Sequence, residues 1–238
     1  MNDNPLRQRV ESEYKKQADD LVACDGFRIL ESGKAGKKDY DQFIANVCKT
    51  HLRSPQILAF LYSVAPPLNV ENVKHNMLEE LGLDEEGIPH PKLLIKLAEA
   101  AGFSQQNIHE LEIFAQDELK RMTSEAILYG TMKEIGLSGL LETASFEWML
   151  SRVSSRMAKF LEKYRGLSKE GLEWFLHHSE VDIRHAEEQL DSVVEYVKYY
   201  EFDSSHFESI LELTFRENVF IKRYFGEISL ARQKGMLD

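Results

Sequence analysis

The sequence predicts an all-α fold, and three observations carry that prediction. No segment sustains the period-two alternation of a half-buried strand, and no Asn-Gly hairpin signal occurs. Long stretches instead place apolar residues three and four apart, the spacing that lines one face of a helix. Helix-start residues recur along the chain, at Asn4-Pro5, His90-Pro91, Ser104, Thr123-Ser124-Glu125, Ser168 and Asp203-Ser204-Ser205. No tandem repeat is visible, and 238 residues are enough for one domain with a substantial core.

In chain order, the first helix is expected over 4–23, with Leu6, Val10, Tyr14, Ala18 and Leu21 as its apolar stripe and no histidine. An irregular stretch follows, through Gly26 and Gly33-Lys34-Ala35-Gly36. A helical region over 39–64 puts Phe43, Val47 and His51 on one face. Ser54-Pro55 breaks or restarts it, because proline disfavours a helical conformation in the residue before it. A third helix over 70–81 is stopped by Gly82. An acidic loop then leads to His90-Pro91 and a helix over 91–101, with His90 at its cap. From 123 a long helix runs to 164, bent near Gly136 and Gly139, with Leu128, Met132, Ile135, Gly139, Glu142, Phe146, Met149 and Val153 as its stripe. Segments 169–200 and 206–232 complete the set.

Composition narrows the function. A net charge of −11 with no sustained basic run argues against a nucleic-acid partner. The longest apolar stretch, 57–68, is far short of a membrane span and contains Pro66 and Pro67. No secretory signal is visible, and two cysteines, Cys24 and Cys48, are too few for a disulfide scaffold, so a cytoplasmic location is expected. Either thiol reads more simply as a small buried hydrophobe than as a nucleophile.

The residues with chemistry in them cluster on the segment over 169–200. His178, Asp182 and His185 are spaced i, i+4, i+7 and stack on one helical face. Such a set is either a solvated polar face or a three-ligand metal site; Trp174, Phe175 and Val181 beside it point toward a core. One triplet does not fill an iron site in a bundle, so carboxylates from other helices are expected. Glu80 lies on the apolar face of its helix with Val73 and Met77, while Glu79 points elsewhere. Glu80 is either a helix-end carboxylate that reaches solvent or one that a cation neutralises, with His90 as a second ligand nearby. Glu142 is the charged member of its stripe and is favoured as a further ligand. Its alternative role is pairing with an arginine in the core, and Glu147, on the face of Leu140 and Ala144, is the runner-up.

Together these give three carboxylates and three imidazoles, a mixture that suits iron or manganese better than structural zinc. Six ligands fit two ions sharing bridging carboxylates. The chain contains no Glu-x-x-His, so the ferritin-type pattern does not apply.

The order Glu, His, Glu, then His-x-x-x-Asp-x-x-His resembles the haem-oxygenase-like di-iron oxidases and oxygenases, which share the TENA/THI-4-like fold. The resemblance lies in Asn76-Met77-Leu78-Glu79-Glu80-Leu81-Gly82 with His90, and in Gly166-Leu167-Ser168-Lys169-Glu170 through Phe175, His178, Asp182 and His185. It covers roughly 39–200. It implies a single-domain bundle of about seven helices, over 1–238, that forms a homodimer. It also implies a di-iron(II) centre, with manganese as an option in one site, ligated by Glu80, His90, Glu142, His178, Asp182 and His185. Such a centre activates dioxygen on a small organic substrate, often amine- or carboxylate-bearing. Relatives include a chlamydial protein associated with death domains, which suggests a member whose own side chains serve as substrate. Some members carry an extra carboxylate on the second helix, where this chain offers His51. Tyr129 and Tyr196 lie on ligand helices as possible sources of protons or electrons. Two other readings remain open: a metal-free, thiaminase-like member using Cys48, and a helical interaction protein in which the inward Glu and His residues pair with one another.

Overall fold

The computed structural model describes residues 4–83, 87–124 and 130–233; the side chains at 121–124, 180–184 and 227–233 lie outside that description. The α-helices are α1 (Pro5–Ala23), α2 (Asp25–Glu31), α3 (Lys37–His51), α4 (Ser54–Val64), α5 (Val70–Glu80), α6 (His90–Ala100), α7 (Gln105–Ser124), α8 (Met132–Phe160), α9 (Glu173–Tyr199), α10 (Ser204–Thr214) and α11 (Val219–Gln233). A π-helical turn occupies Leu161–Arg165 and a 3-10 turn Glu170–Leu172. Among the described residues there is no strand, as an all-α haem-oxygenase-like bundle requires.

Local signals explain most boundaries. Asn4 Oδ1 accepts from the Leu6 amide at 3.1 Å and caps α1. Val10, Tyr14, Ala18 and Leu21 are buried along it, and Arg7 pairs with Glu187 and Asp191 of α9. Pro55 and Pro91 sit in the first turns of α4 and α6, where a missing amide costs nothing. His90 is therefore the first residue of α6 rather than its cap.

Two departures from the expected elements, together with the break expected at Ser54-Pro55, raise the helix number above seven. The stretch after Ala23 is not irregular: Cys24 Sγ accepts from the Phe27 amide and starts α2, which buries Phe27 and Leu30. A seven-residue helix is too short to show a stripe. The region over 39–64 divides cleanly into α3 and α4. The expected helix over 206–232 divides into α10 and α11, and α1 dictates the break. Gln17 accepts from the Val219 amide at 3.3 Å, and Asn218 donates to the Gln17 carbonyl at 2.7 Å.

The start expected at Thr123 is also different. α7 runs through that residue, and α8 is capped by Thr131, whose amide donates to Glu134 Oε2 at 2.8 Å in a reciprocal capping box. α8 and α9, 29 and 27 residues long, pack along each other as the central pair. α8 passes Gly136 and Gly139 as one helix; a Cβ at Gly136 would meet the Tyr196 hydroxyl at 2.1 Å. A central helix is covered on several sides, and every residue over 144–150 is buried. A single stripe therefore describes α8 poorly: Met132 is exposed, while Leu137, Leu140, Ala144 and Glu147 are buried. Leu128 lies outside the described residues. No described helix is long and apolar enough to cross a membrane.

Candidate metal centre

The centre starts at the C-terminal end of α5, whose last two residues are Glu79 and Glu80. Gly82 follows in the left-handed region (φ +65), and a Cβ there would lie 2.4 Å from the Pro89 nitrogen. Glycine thus lets the chain fold back on itself. That return brings His90 Nδ1 to 2.9 Å from Glu80 Oε1. Ser54, in the first turn of α4, donates to the other oxygen, Glu80 Oε2.

α9 supplies imidazoles two turns apart. His178 and His185 are each 3% exposed. His178 Nδ1 donates to the Trp174 carbonyl at 2.7 Å. That bond fixes the ring and its tautomer and leaves Nε2 as a lone-pair donor, the arrangement that metal-binding histidines usually show. One donor atom from each of Glu80, His90 and His178 lies within 4.8 Å of the others, and all three residues are buried.

A second group of three lies one residue back along α5. His185 Nε2 is 2.6 Å from Glu79 Oε2, and the more exposed His75 Nε2 is 3.7 Å from Glu79 Oε1. Glu79 does not point away from the ligand side, as its position beside Glu80 suggested. α5 packs against α4, α6 and α9 together, so adjacent carboxylates about 100° apart on the helix both face protein.

Electrostatics set the charge states. Burial favours protonation of Glu80, but the His90 charge, their hydrogen bond and the Ser54 hydroxyl outweigh it and hold the carboxyl down at about 2. Burial lowers His90, yet the Glu80 charge and hydrogen bond more than offset this and raise it. His178 is pushed well below the ordinary histidine value by burial, then by the His90 charge, and so is neutral. Burial and the neighbouring Glu80 raise Glu147, against His185 and His90, which stabilise its anion. The Asn76 side chain also stabilises the Glu147 anion.

Glu142 has different company. Its Oε1 accepts from Arg223 Nη2 at 2.7 Å and Nε at 3.2 Å, and Arg223 also pairs with Glu118. The structure brings Glu80, His90 and His178 together, places His185 on Glu79, pairs Glu142 with Arg223, and sets Glu147 in the lining of one cavity with Glu80 and His178. Asp182 lies on α9 between the two histidines, but its side chain is outside the described residues, as is Tyr129. Tyr196 donates to the Lys133 carbonyl at 3.1 Å, a tie between α9 and α8. A signal for Glu147 was present in its apolar neighbours Leu140 and Ala144; none in the sequence singled out Glu79.

A cavity adjoins the first group. Its volume is about 50 Å³. Glu80, Glu147 and His178 line it, together with Arg53, Glu142 and Arg223. Arg53 Nε is buried and meets no acceptor among the described residues.

The residues fit an iron centre. Neutral imidazole and carboxylate are the donor types that iron takes, both groups combine them, and the first is made of buried residues. Cys48 fits a nucleophile poorly: its thiol is pushed up to about 12 by burial and donates to the Leu94 carbonyl at 3.6 Å.

Comparison with known proteins points the same way. A family model described as iron-containing redox enzyme matches residues 41–205. Over 180 residues the chain is 26% identical to a 4-aminobenzoate synthase of Chlamydia pneumoniae, an alignment covering 73% of this chain and 76% of that one.

Proposed function

The chain belongs to the family of iron-containing redox enzymes, and from that premise we propose that it holds two ferrous ions and oxidises a small carboxylate-bearing molecule with dioxygen. The observation that carries this reading is the convergence of Glu80, His90 and His178, all buried, with donor atoms within 4.8 Å of one another. We assign these three to one ion and His185 and Glu79 to the other, with Glu147 between them. Asp182, one turn from each α9 histidine, is retained as a further ligand from its helix position. Manganese in one of the two positions is compatible with the same donors.

The chemistry that ferrous ions supply there is the reduction of dioxygen. The chain's own groups prepare the position for it. The Trp174 carbonyl holds the Nδ1 proton of His178, so that Nε2 is presented as a neutral donor. Ser54 orients Glu80. His90 would hold a cation as the neutral imidazole, so loading would displace any second proton on its ring. Leu58, Leu150 and Phe146 line the adjoining cavity and limit water there. Arg53, with its buried Nε, suits a substrate carboxylate and would orient it toward the centre.

The test is metal analysis of protein purified with iron supplied, followed by oxygen exposure of the ferrous form. Two irons per chain and a transient optical band are expected. An intact fold with no iron, or full iron content in Glu80→Gln, overturns the proposal.

A further inference from the structure

A phenol and an imidazole that the ligand set does not use are buried together beside it. Tyr224 of α11 is fully buried and His51, the last residue of α3, is 9% exposed. The Tyr224 hydroxyl lies 2.8 Å from His51 Nε2. Phe146 packs against both rings, at 5.1 and 5.9 Å between centroids. Packing alone does not call for this pair in such surroundings: replacing both partners of a buried hydrogen bond by apolar groups of the same shape is often nearly neutral. Burial pushes the His51 imidazole down to about 3, so it is a neutral base at ordinary pH. With its proton on Nδ1, Nε2 accepts from the phenol.

The pair is in ring contact with the candidate centre. The His51 ring lies 4.9 Å from that of Trp174, and the Trp174 ring 4.3 Å from that of His178. Trp174 is 1% exposed and His178 3% exposed. Tyr224, His51, Trp174 and His178 thus form one buried path of touching rings from a phenol to a proposed iron ligand.

We propose that Tyr224 and His51 are a proton-coupled redox pair that delivers an electron through Trp174 to the metal centre. The centre oxidised by dioxygen is the one-electron oxidant. Tyr224 gives up one electron to it, and the hydroxyl proton crosses the existing hydrogen bond to His51 Nε2. The O–H bond breaks and an N–H bond forms. The products are a neutral phenoxyl radical, an imidazolium and a centre reduced by one electron. A soluble one-electron reductant then restores the phenol as the proton returns. The pair gives oxidising power an outlet when the cavity holds no substrate. This inference rests on the iron reading above.

The test freezes ferrous protein at intervals after mixing with oxygenated buffer, without substrate, for electron paramagnetic resonance. Iron content and the transient optical band are read on the same samples. The wild type should give a tyrosyl radical whose hyperfine pattern collapses when the protein carries ring-deuterated tyrosine. Tyr224→Phe should keep its iron and optical band and lose the radical. His51→Gln keeps a hydrogen-bonding group but takes no proton, and should lose most of the yield; Trp174→Phe should slow formation. An equal radical yield in Tyr224→Phe overturns the proposal, as does a wild type that loads iron, shows the band and forms no radical. If no iron loads, the iron reading fails, and the pair is tested alone by oxidising metal-free protein with a photogenerated ruthenium(III) complex. A long-lived radical lost in Tyr224→Phe then supports the pair, and equal lifetimes in the two proteins refute it.

Discussion

Two clusters of glutamates border one cavity, one buried and one part-buried, and their cations differ. Glu80 faces His90 and His178, whereas Glu142 faces Arg223, which also takes Glu118. Both clusters neutralise carboxylates inside protein, and both lie on helices that sequence periodicity describes as inward-facing. An imidazole can give up its proton and offer the freed lone pair to a metal. A guanidinium stays protonated at any physiological pH and offers donors only; burial brings Arg223 down to about 10, still charged at neutral pH. The identity of the cation thus separates a carboxylate available for ligation from one spent on structure, although each is a glutamate on a helix face.

The largest effect expected from this contrast is on iron itself. His178→Ala and His185→Ala should each abolish iron loading while circular dichroism shows the bundle intact; unchanged iron in both would end the assignment. Next, Glu147→Gln should lower iron content markedly while Glu142→Gln leaves it near the wild-type level. The reverse ranking would break the comparison drawn between the two clusters.

Arg223→Met tests the structural half. It leaves Glu142 and Glu118 without their cation and should cost on the order of 3 kcal/mol in denaturant unfolding, somewhat under the fully buried case because Glu118 is partly exposed. Adding Glu142→Gln should recover part of that loss. The smallest effect sharpens the contrast from a third side, since His51 is a buried imidazole whose polar partner is a phenol rather than a carboxylate. Its folded value of about 3 lies below the ordinary 6.5, so the unfolded chain binds the proton first and stability falls as pH drops between those values. Lowering the pH from 6.5 to 5 should cost about 1.6 kcal/mol through this group. In the double variant His51→Phe, Tyr224→Phe the slope of stability against pH over that interval should be shallower.

Much of the molecule was legible from local pattern. The caps at Asn4, Ser104 and Asp203, the prolines in first turns and the i, i+7 spacing of His178 and His185 all act within one or two helical turns, so short windows of sequence contain them. The last helical region was harder, because its break depends on Gln17 of α1, about two hundred residues away in sequence. α8 was harder still: burial on several sides removes the polar face against which a stripe is recognised.

The sequence by itself determined an all-α chain, two buried histidines on one face of α9, and a Glu-to-His link across the turn at Gly82. Tertiary packing alone decided which carboxylates meet imidazoles. Glu79 meets His185 because α5 is covered on more than one side, and Arg223 arrived from α11 to pair with Glu142. Helical periodicity fixes the direction in which a side chain leaves its own axis, but not what stands across the gap from it.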